Sequence, residues 1–298
     1  FENRPGILGK TEISILKDQI LSLPINTDRP ADTFTATGVP PGLTIDPVSG
    51  VLSGTPTAEG TYGVTVQASN AAGSRPSVLT IHVKDYTRWE YSSVVSFPGY
   101  DENQTLNDFL VYLEISPIIP GFSYEQFASN AGYDLRFVGN DGAEELKYET
   151  VKWDTSGVSA FWVRIPELEA NSTNVTAIWG NANAVTQPAY CKDGSLWDTY
   201  HAVWHMDGDD PTVIRESRGS LHGTATNFVS EPRVPGVIGK ALSFDGTNDY
   251  VNLPLEAHPP GDAKELTISF WSYGGPSLPK NTSVLESGSD LGRHLNLH

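Results

Sequence analysis

The amino-acid sequence predicts an all-β protein made of antiparallel β-sandwiches in tandem. Apolar and polar residues alternate with a period of two through much of the chain, which is typical of half-buried strands. In segment 110–115 the two faces separate, with Leu110, Tyr112 and Glu114 on one and Val111, Leu113 and Ile115 on the other. Glycine and proline, with 28 and 21 residues, recur between such runs. Short alternating runs bounded by turn residues favour sheets over helices.

The chain is too long for one usual hydrophobic core, because it has 298 residues. Only 18% of these residues are charged, as expected of a folded β protein. Shifts in composition divide the chain into three zones. We therefore predict three domains, at residues 1–85, 86–190 and 191–298.

Seven short strands are predicted in the first zone, with the spacing of a small sandwich. They are residues 12–16, 19–25, 33–37, 43–45, 51–53, 60–69 and 77–84. Between them, Pro40-Pro41-Gly42 predicts a rigid turn, and the run from Asp46 to Gly50 predicts a hairpin.

One long segment of this zone, GVPPGLTIDPVSGVLSGTPTAEGTYGVTVQASNAAGS at 38–74, resembles the bacterial Ig-like, or cadherin-like, repeats of cell-surface proteins. The resemblance covers most of the zone. It implies an Ig-like sandwich and a location at the cell surface, and it implies no chemistry.

The second zone contains FPGYDENQTL, GYDLRF, VKWD, FWVRIPEL and AIWGNA, in that order. Residues 139–142, 154–157 and 166–168 predict turns between its strands. The five segments together resemble a bacterial family known only as a domain of unknown function, which is common in large secreted proteins. The resemblance implies a β-sandwich of exported multidomain proteins, often followed by a laminin-G-like lectin fold, with no assigned chemistry.

Three tryptophans of this zone, Trp153, Trp162 and Trp179, are candidates for sugar stacking, because pyranose rings pack on flat aromatic faces. Interior packing is the interpretation that we favour for each of them. Alternation places Trp162 on the face opposite to Phe161 and Val163, so one of these two sets must point inward. The carbohydrate-binding candidates of the whole chain are Trp153, Trp162, Trp204 and Trp271.

Acidic residues are dense in the second zone and include Asp101, Glu102, Asp134, Asp141, Glu144, Glu145 and Glu149. Two carboxylates can act as acid and base in glycoside hydrolysis, but a sequence does not show their separation. We favour a solvated acidic surface, and we predict no catalytic residue.

The third zone contains AVWHMDGDD at 202–210 and FDGTNDYV at 244–251, followed by a predicted strand, TISFW, at 267–271. The FDGTNDYV hairpin and this strand resemble laminin-G-like, concanavalin A-like jelly rolls. Those are lectin-type folds in which loops at one edge of a concave sheet hold calcium and sugar. The resemblance implies that the aromatic residues at the motif positions, such as Trp204 and Trp271, are mostly core.

Calcium is the one cofactor that we consider, since it takes roughly six to eight oxygen ligands and this zone offers several carboxylates. The candidate ligands are Asp207, Asp209, Asp210, Glu216, Asp245 and Asp249. Asp245 and Asp249 also suit a tight turn.

The third zone holds too few strands for a whole jelly roll of this kind. About seven strand candidates fit after residue 200, and nearly twice that number is needed. Missing strands would leave sheet edges unpaired. We therefore expect a fragment of a larger protein, or a last domain that another chain completes by adding strands.

The charge balance makes several partners improbable. The net charge is −17, from 19 Lys and Arg against 36 Asp and Glu, which disfavours nucleic acid and anionic membranes. No apolar run of membrane-spanning length is present, so we predict no membrane insertion.

The single cysteine, Cys191, excludes an internal disulfide and is typical of bacterial exoproteins. We expect an extracellular or cell-surface protein of a bacterium.

These observations favour a non-catalytic adhesion or carbohydrate-binding segment of a large bacterial surface or secreted protein. Its partner would be a polysaccharide or a cell-surface glycan. One alternative is a structural subunit of a surface filament or array, in which neighbouring copies of the chain are the partners. A second alternative is part of a polysaccharide-degrading enzyme, either a glycoside hydrolase or a polysaccharide lyase. Nucleotide-binding loops and nucleophile elbows are absent from the sequence.

Overall fold

The computed structural model describes residues 3–208, 210–228, 231–257 and 267–273. The chain forms two compact units, Phe1–Cys191 and Lys192–His298. The regular elements of the described residues are β-strands and one-turn 3₁₀ helices, which confirms the all-β prediction. No helix in these ranges has the length and apolar character that crossing a membrane requires. The three predicted domain boundaries stay a prediction.

The first part of unit one is a small sandwich. Its strands are β1 (Ile7–Leu8), β2 (Glu12–Leu16), β3 (Leu21–Pro24), β4 (Asn26–Thr27), β5 (Thr33–Thr37), β6 (Leu43–Ile45), β7 (Val51–Gly54), β8 (Gly60–Asn70) and β9 (Gly73–Lys84). One sheet has the order β2-β9-β8-β5 and the other β3-β7-β6, while β1 pairs with β4. Strand β2 runs parallel to β9, and the other pairs are antiparallel. All seven predicted strands are present, and β1 and β4 are additional.

Period-two alternation builds the core of this sandwich. In β8 the buried residues are Val64, Val66 and Ala68, and in β9 they include Ile81 and Val83. Their intervening neighbours are at most partly buried. Alternate side chains of a strand point to opposite faces, so these two strands supply one wall of the core.

Two glycines hold the turn regions of this sandwich close together. Gly42 (φ +90°) and Gly54 (φ +131°) both occupy backbone conformations that L side chains rarely adopt. A Cβ on Gly42 would collide with the carbonyl oxygen of Thr55, and one on Gly54 with the carbonyl oxygen of Gly42. Only glycine permits this approach, which gives the Pro-Pro-Gly and Gly-Thr-Pro segments a structural reason.

The second part of unit one is a separate sandwich. Its strands are β10 (Tyr91–Ser96), β11 (Leu106–Ile115), β12 (Arg136–Val138), β13 (Glu145–Leu146), β14 (Tyr148–Lys152), β15 (Ser159–Leu168) and β16 (Asn174–Trp179). The sheet orders are β10-β16-β12-β13 and β11-β15-β14. Short 3₁₀ helices lie at Tyr124–Gln126 and Ala189–Cys191.

Strands β11 and β15 line the core of this second sandwich with alternate residues. Phe161, Val163 and Ile165 of β15 are each at most 1% exposed. Opposite them in register, Val111 and Leu113 pack against the same core. The predicted separation of the two faces of segment 110–115 is therefore confirmed, with the apolar set inside.

Two of the three predicted turns in this region are confirmed, and one is wrong. Residues 139–142 connect β12 to β13, and residues 154–157 connect β14 to β15. The turn predicted at 166–168 is instead the end of β15. Pro166 lies beyond the last pairing of β14, which is at Val163, so its missing N–H costs no bond to that neighbour.

The expected solvated acidic surface is wrong for two of the acidic residues. Asp134 is 0% exposed, and its carboxylate accepts hydrogen bonds from the backbone N–H groups of Ala128, Ser129 and Gly180 at 2.9–3.0 Å. The side chain of Glu145 is 17% exposed and has ion-pair partners. A carboxylate can be buried when donors surround it, and the sequence did not show these donors.

The described part of unit two is sparse in regular structure. Its strands are β17 (Val213–Ile214), β18 (Gly223–Thr226), β19 (Arg233–Pro235), β20 (Lys240–Leu242) and β21 (Tyr250–Asn252), with 3₁₀ helices at Ser195–Trp197 and Leu255–Ala257. The sheet orders are β17-β18-β21 and β19-β20.

Two predictions for unit two are wrong. Segment 244–251 is not a hairpin, because the strand before it, β20, pairs with β19, and the strand after it, β21, pairs with β18. Residues 267–271 are not a strand among the described residues. The predicted features after residue 273 lie outside the described residues, and the laminin-G-like assignment stays a prediction.

We expect Asp134→Ala to lower the free energy of unfolding by about 3 kcal/mol, because three buried N–H groups lose their acceptor. Urea unfolding followed by circular dichroism measures this loss. The matched control is Asp101→Ala on the exposed surface, which should change stability by less than about 0.5 kcal/mol. Equal stability of the two variants would contradict the structural role of Asp134.

Candidate functional site

The outer side of the β11-β15-β14 sheet carries an aromatic pair in the centre of a charged surface. Tyr112 of β11 and Trp162 of β15 are directly opposite each other in register, and Glu149 of β14 is the next residue across the sheet. We call this surface the Tyr112–Trp162 face. By register it comprises Leu110, Tyr112, Glu114, Glu149, Trp162 and Arg164, of which Leu110 is buried at 8% exposure.

The two rings of the pair are close and steeply inclined. Their centroids are 5.5 Å apart and the ring planes meet at 63°. Both side chains are half-buried, and neither belongs to the core, which Phe161 and Val163 fill from the opposite side of β15. Trp162 is thus the one tryptophan of this sandwich that alternation places on the outer side of the sheet. The interior packing that we favoured for it is not observed.

Charged residues of both signs border the aromatic pair. Arg164 lies opposite Leu110 in the register, Glu114 lies opposite Ala160, and Glu149 lies opposite Trp162. Burial and the adjacent Glu114 carboxylate, which also accepts a hydrogen bond from the Tyr112 hydroxyl, raise the pKa of Tyr112 above its ordinary value of 10. The face therefore combines flat apolar rings with donors and acceptors.

Trp179 packs inside the second sandwich, and Trp153 is half-buried and packs against the same core. The ring of Trp153 meets Tyr124 at 5.3 Å and Phe127 at 5.0 Å, and its indole N–H donates to the carbonyl oxygen of Asn130 at 2.8 Å. Trp179 is 3% exposed. The two rings support the core, and we do not place Trp153 in the candidate site.

The two tryptophans of unit two have different surroundings. Trp204 is half-buried, bridges to Glu216 through its backbone and donates its indole N–H to the carbonyl oxygen of Leu221 at 2.9 Å. Trp271 is 77% exposed. Trp271 belongs to unit two, whereas the Tyr112–Trp162 face belongs to unit one.

The candidate calcium ligands hold backbone groups in local turns. Asp210 accepts from Thr212, and Asp245 accepts from the N–H groups of Thr247 and Asn248 at 2.7 and 3.2 Å. Asp249 accepts from the N–H of Asp245 at 2.9 Å.

Glu216 is the most buried of these candidates, at 5% exposure. It accepts from the N–H groups of Val203, Arg218 and Gly219 at 2.7–3.1 Å. Asp207 is half-buried, and Asp209 lies outside the described residues.

No metal-binding group of three or more His, Cys, Asp or Glu side chains occurs in the part of the chain that the structure describes. Calcium binding stays a prediction.

Sequence reasoning found Trp162 but missed its neighbours. Alternation put Tyr112 and Glu114 on a common face, but it did not show that β15 lies beside β11 or which residues are in register. A cross-strand pair depends on register, and residues 112 and 162 are far apart in the chain.

Two family models match segments of the chain. Residues 9–84 match a family model described as a "putative Ig domain". This part of the chain is Ig-like. Residues 131–195 match the model of a domain of unknown function, DUF2341. Four of the five segments that carried the second resemblance lie in that range, whereas FPGYDENQTL precedes it.

Similarities to solved structures are local or weak. A "putative alpha-galactosidase" from Bacteroides fragilis has 32% identity over 28% of this chain and 18% of its own, with a TM-score of 0.26. A second Bacteroides fragilis structure, described as a "putative alpha-galactosidase/melibiase", has 29% identity with the same coverage and TM-score. A chimeric titin Z1Z2 has 12% identity, covering 60% of this chain and 91% of its own, with a TM-score of 0.26. No curated protein gives a significant match.

The hairpin after β14, next to the Tyr112–Trp162 face, has an unusually acidic carboxyl group. Hydrogen bonds from the side chain of Lys152 at 2.8 Å and from Ser156 lower the pKa of Asp154 to about 2. The folded pKa lies below the ordinary value of 3.8. The stability that this carboxylate contributes is therefore present above pH 3.8 and is lost as the pH falls through about 2.

We expect an NMR titration of the Asp154 carboxyl carbon to give a midpoint near 2 in the native chain. In Lys152→Ala the midpoint should rise towards the ordinary value, because the largest cause of the shift is removed. Lys192→Ala, which lies outside this hairpin, serves as the control and should leave the midpoint unchanged. A native midpoint near the ordinary value would contradict the hydrogen bonding of the hairpin.

Proposed function

We propose that this chain is a non-catalytic glycan-binding segment of an extracellular bacterial protein, and that the Tyr112–Trp162 face contacts the sugar. The observation that carries the proposal is the aromatic pair on the outer side of the sheet, with ring centroids 5.5 Å apart. Sugar rings present apolar C–H faces that pack on aromatic rings, and their hydroxyls require nearby donors and acceptors. The Tyr112–Trp162 face offers both kinds of group.

The inclination of the rings favours one kind of glycan. At 63° the two planes form an angled surface rather than a flat platform. A flat platform suits the face of a crystalline polysaccharide, whereas an angled surface suits a single chain that turns from one ring to the next. Charges of both signs around the rings favour a neutral glycan over a highly charged one. The ligand of this proposal is therefore a single neutral glycan chain.

An extracellular location is part of the proposal. It is supported by the Ig-like domain, a type common in extracellular proteins, and by the single cysteine of the chain. The net charge of −17 supports solubility and does not favour an anionic partner.

The other roles that the sequence left open gain no specific support. The two buried carboxylates of the second sandwich, Asp134 and Glu145, hold backbone N–H groups or cations. They therefore have structural roles, and we do not propose them as a catalytic pair. Filament assembly and polysaccharide degradation stay predictions from the sequence.

We expect Trp162→Ala to weaken binding of a soluble neutral polysaccharide by about tenfold or more, since aromatic residues at the centre of an interface often contribute this much. Tyr112→Ala should weaken it in the same direction. Affinity electrophoresis of the full chain in gels containing neutral polysaccharides identifies a ligand and measures the change. A pull-down with crystalline cellulose tests the surface that we expect not to bind.

Two tryptophan variants serve as controls. Trp271→Ala changes the exposed tryptophan of unit two and should leave the affinity unchanged. Trp153→Ala should reduce stability through lost packing, by about 3 kcal/mol, without changing the affinity of the folded protein. Loss of binding in Trp271→Ala with full binding in Trp162→Ala would show that the binding site lies in unit two and not on the Tyr112–Trp162 face. Absence of binding to every neutral glycan would reject the proposal.

A further inference from the structure

Residues 84–90 connect the Ig-like sandwich to the second sandwich, and we call them the junction. Connections between domains are usually mobile unless specific contacts hold them. Here both sandwiches belong to one compact unit, Phe1–Cys191. Side chains of the junction contact the second sandwich at several places, and its first residue is also bonded to the Ig-like sandwich.

Glu145 of β13 is the centre of these contacts. Its carboxylate lies 3.3 Å from the ammonium group of Lys84 at the end of β9 and 3.2 Å from Nε of Arg136 in β12. The hydroxyl of Tyr190 donates a hydrogen bond to the same carboxylate at 2.6 Å. With its side chain only 17% exposed, Glu145 forms an ion pair that water screens weakly. This carboxylate joins the last strand of the Ig-like sandwich to the second sandwich.

Two aromatic residues of the junction are hydrogen-bonded to the backbone of the second sandwich. The hydroxyl of Tyr86 donates to the carbonyl oxygen of Ala143, and the indole N–H of Trp89 donates to that of Asp134, both at 3.1 Å. The two rings also contact each other edge to face at 5.4 Å. Burial raises the pKa of Tyr86 above its ordinary value of 10.

The Ig-like sandwich holds the other end of the junction. The backbone N–H of Lys17 donates to the carbonyl oxygen of Lys84 at 2.8 Å, and the Lys17 ammonium lies 3.7 Å from the Asp85 carboxylate. Asp85 also accepts from the backbone N–H and the hydroxyl of Thr87, at 3.1 and 2.6 Å. Lys84, Asp85, Tyr86 and Thr87 therefore each have a side-chain group that is hydrogen-bonded or ion-paired.

We propose that the junction is a fixed interdomain interface, which holds the Ig-like sandwich and the second sandwich in one orientation through Glu145, Tyr86 and Trp89. The Ig-like sandwich then acts as a rigid arm and presents the second sandwich at a constant angle. This proposal does not depend on what the Tyr112–Trp162 face binds, because none of the interface residues belongs to that face.

The rate of tryptic cleavage after Arg88, in the middle of the junction, measures how often this interface opens. Native-state cleavage requires that the segment open locally, and its rate follows the population of the open form. Although Arg88 is exposed, we expect the bond after it to be cleaved slowly in the native chain. Cleavage would be followed by mass spectrometry of the full chain over time.

Glu145→Gln and Tyr86→Phe should each accelerate cleavage after Arg88 by about tenfold, because each removes a hydrogen bond or charge that holds the junction closed. The control Glu102→Gln changes an exposed glutamate and should leave the rate unchanged. Cleavage after Arg164, in the central strand β15, reports unfolding of the whole second sandwich. It should stay slow in all three variants.

Rapid cleavage after Arg88 in the native chain would overturn the proposal, as would native rates in both Glu145→Gln and Tyr86→Phe. If Glu145→Gln is also cut after Arg164, that variant has unfolded globally, and the decision rests on Tyr86→Phe, which keeps the aromatic ring. Loss of glycan binding with a protected junction would reject the proposed function alone.

Discussion

The central position of strand β15 constrains the rest of the second sandwich. This strand pairs with β11 on one side and β14 on the other, so its alternation sets which residues of three strands face inward. Phe161, Val163 and Ile165 fill the core, and the residues between them must then face outward. A shift of register by one residue would put the indole of Trp162 into the core and Phe161 outside. The register of β15 therefore determines both which side chains pack in the core and which lie on the outer face.

Buried carboxylates act as structural anchors in a strongly acidic chain. A net charge of −17 predicts acids in solvent, and most of the acidic residues that the structure describes are exposed. Among the exceptions, Asp134 and Glu145 of the second sandwich are each surrounded by donors, three backbone N–H groups in one case and two cations and a tyrosine in the other. Asp134 also accepts from Trp89 through its carbonyl oxygen. Asp134 thus binds the second sandwich through its carboxylate and the junction through its carbonyl oxygen.

Local patterns and long-range arrangements differed in how well the sequence predicted them. Strands such as β2, β5 and β6 have the bounds that alternation predicted, because propensity and turn residues act over a few neighbours. Trp162 and Trp153 looked alike in sequence, yet one lies on an outer face and the other packs on Tyr124 and Phe127. Segment 244–251 has the composition of a hairpin, but its flanking strands pair with other partners. In each case the deciding contact is with a residue distant in the chain.

The sequence by itself determined the all-β class, most strand positions in the Ig-like sandwich and the apolar set of β11, because these depend on short-range periodicity and turn chemistry. Only the tertiary structure decided that Tyr112 lies opposite Trp162, that Asp134 is buried and that Glu145 joins two sandwiches. Those features depend on strand register and on donors supplied by remote segments. Such contacts form only when the sheets assemble, so no local pattern encodes them.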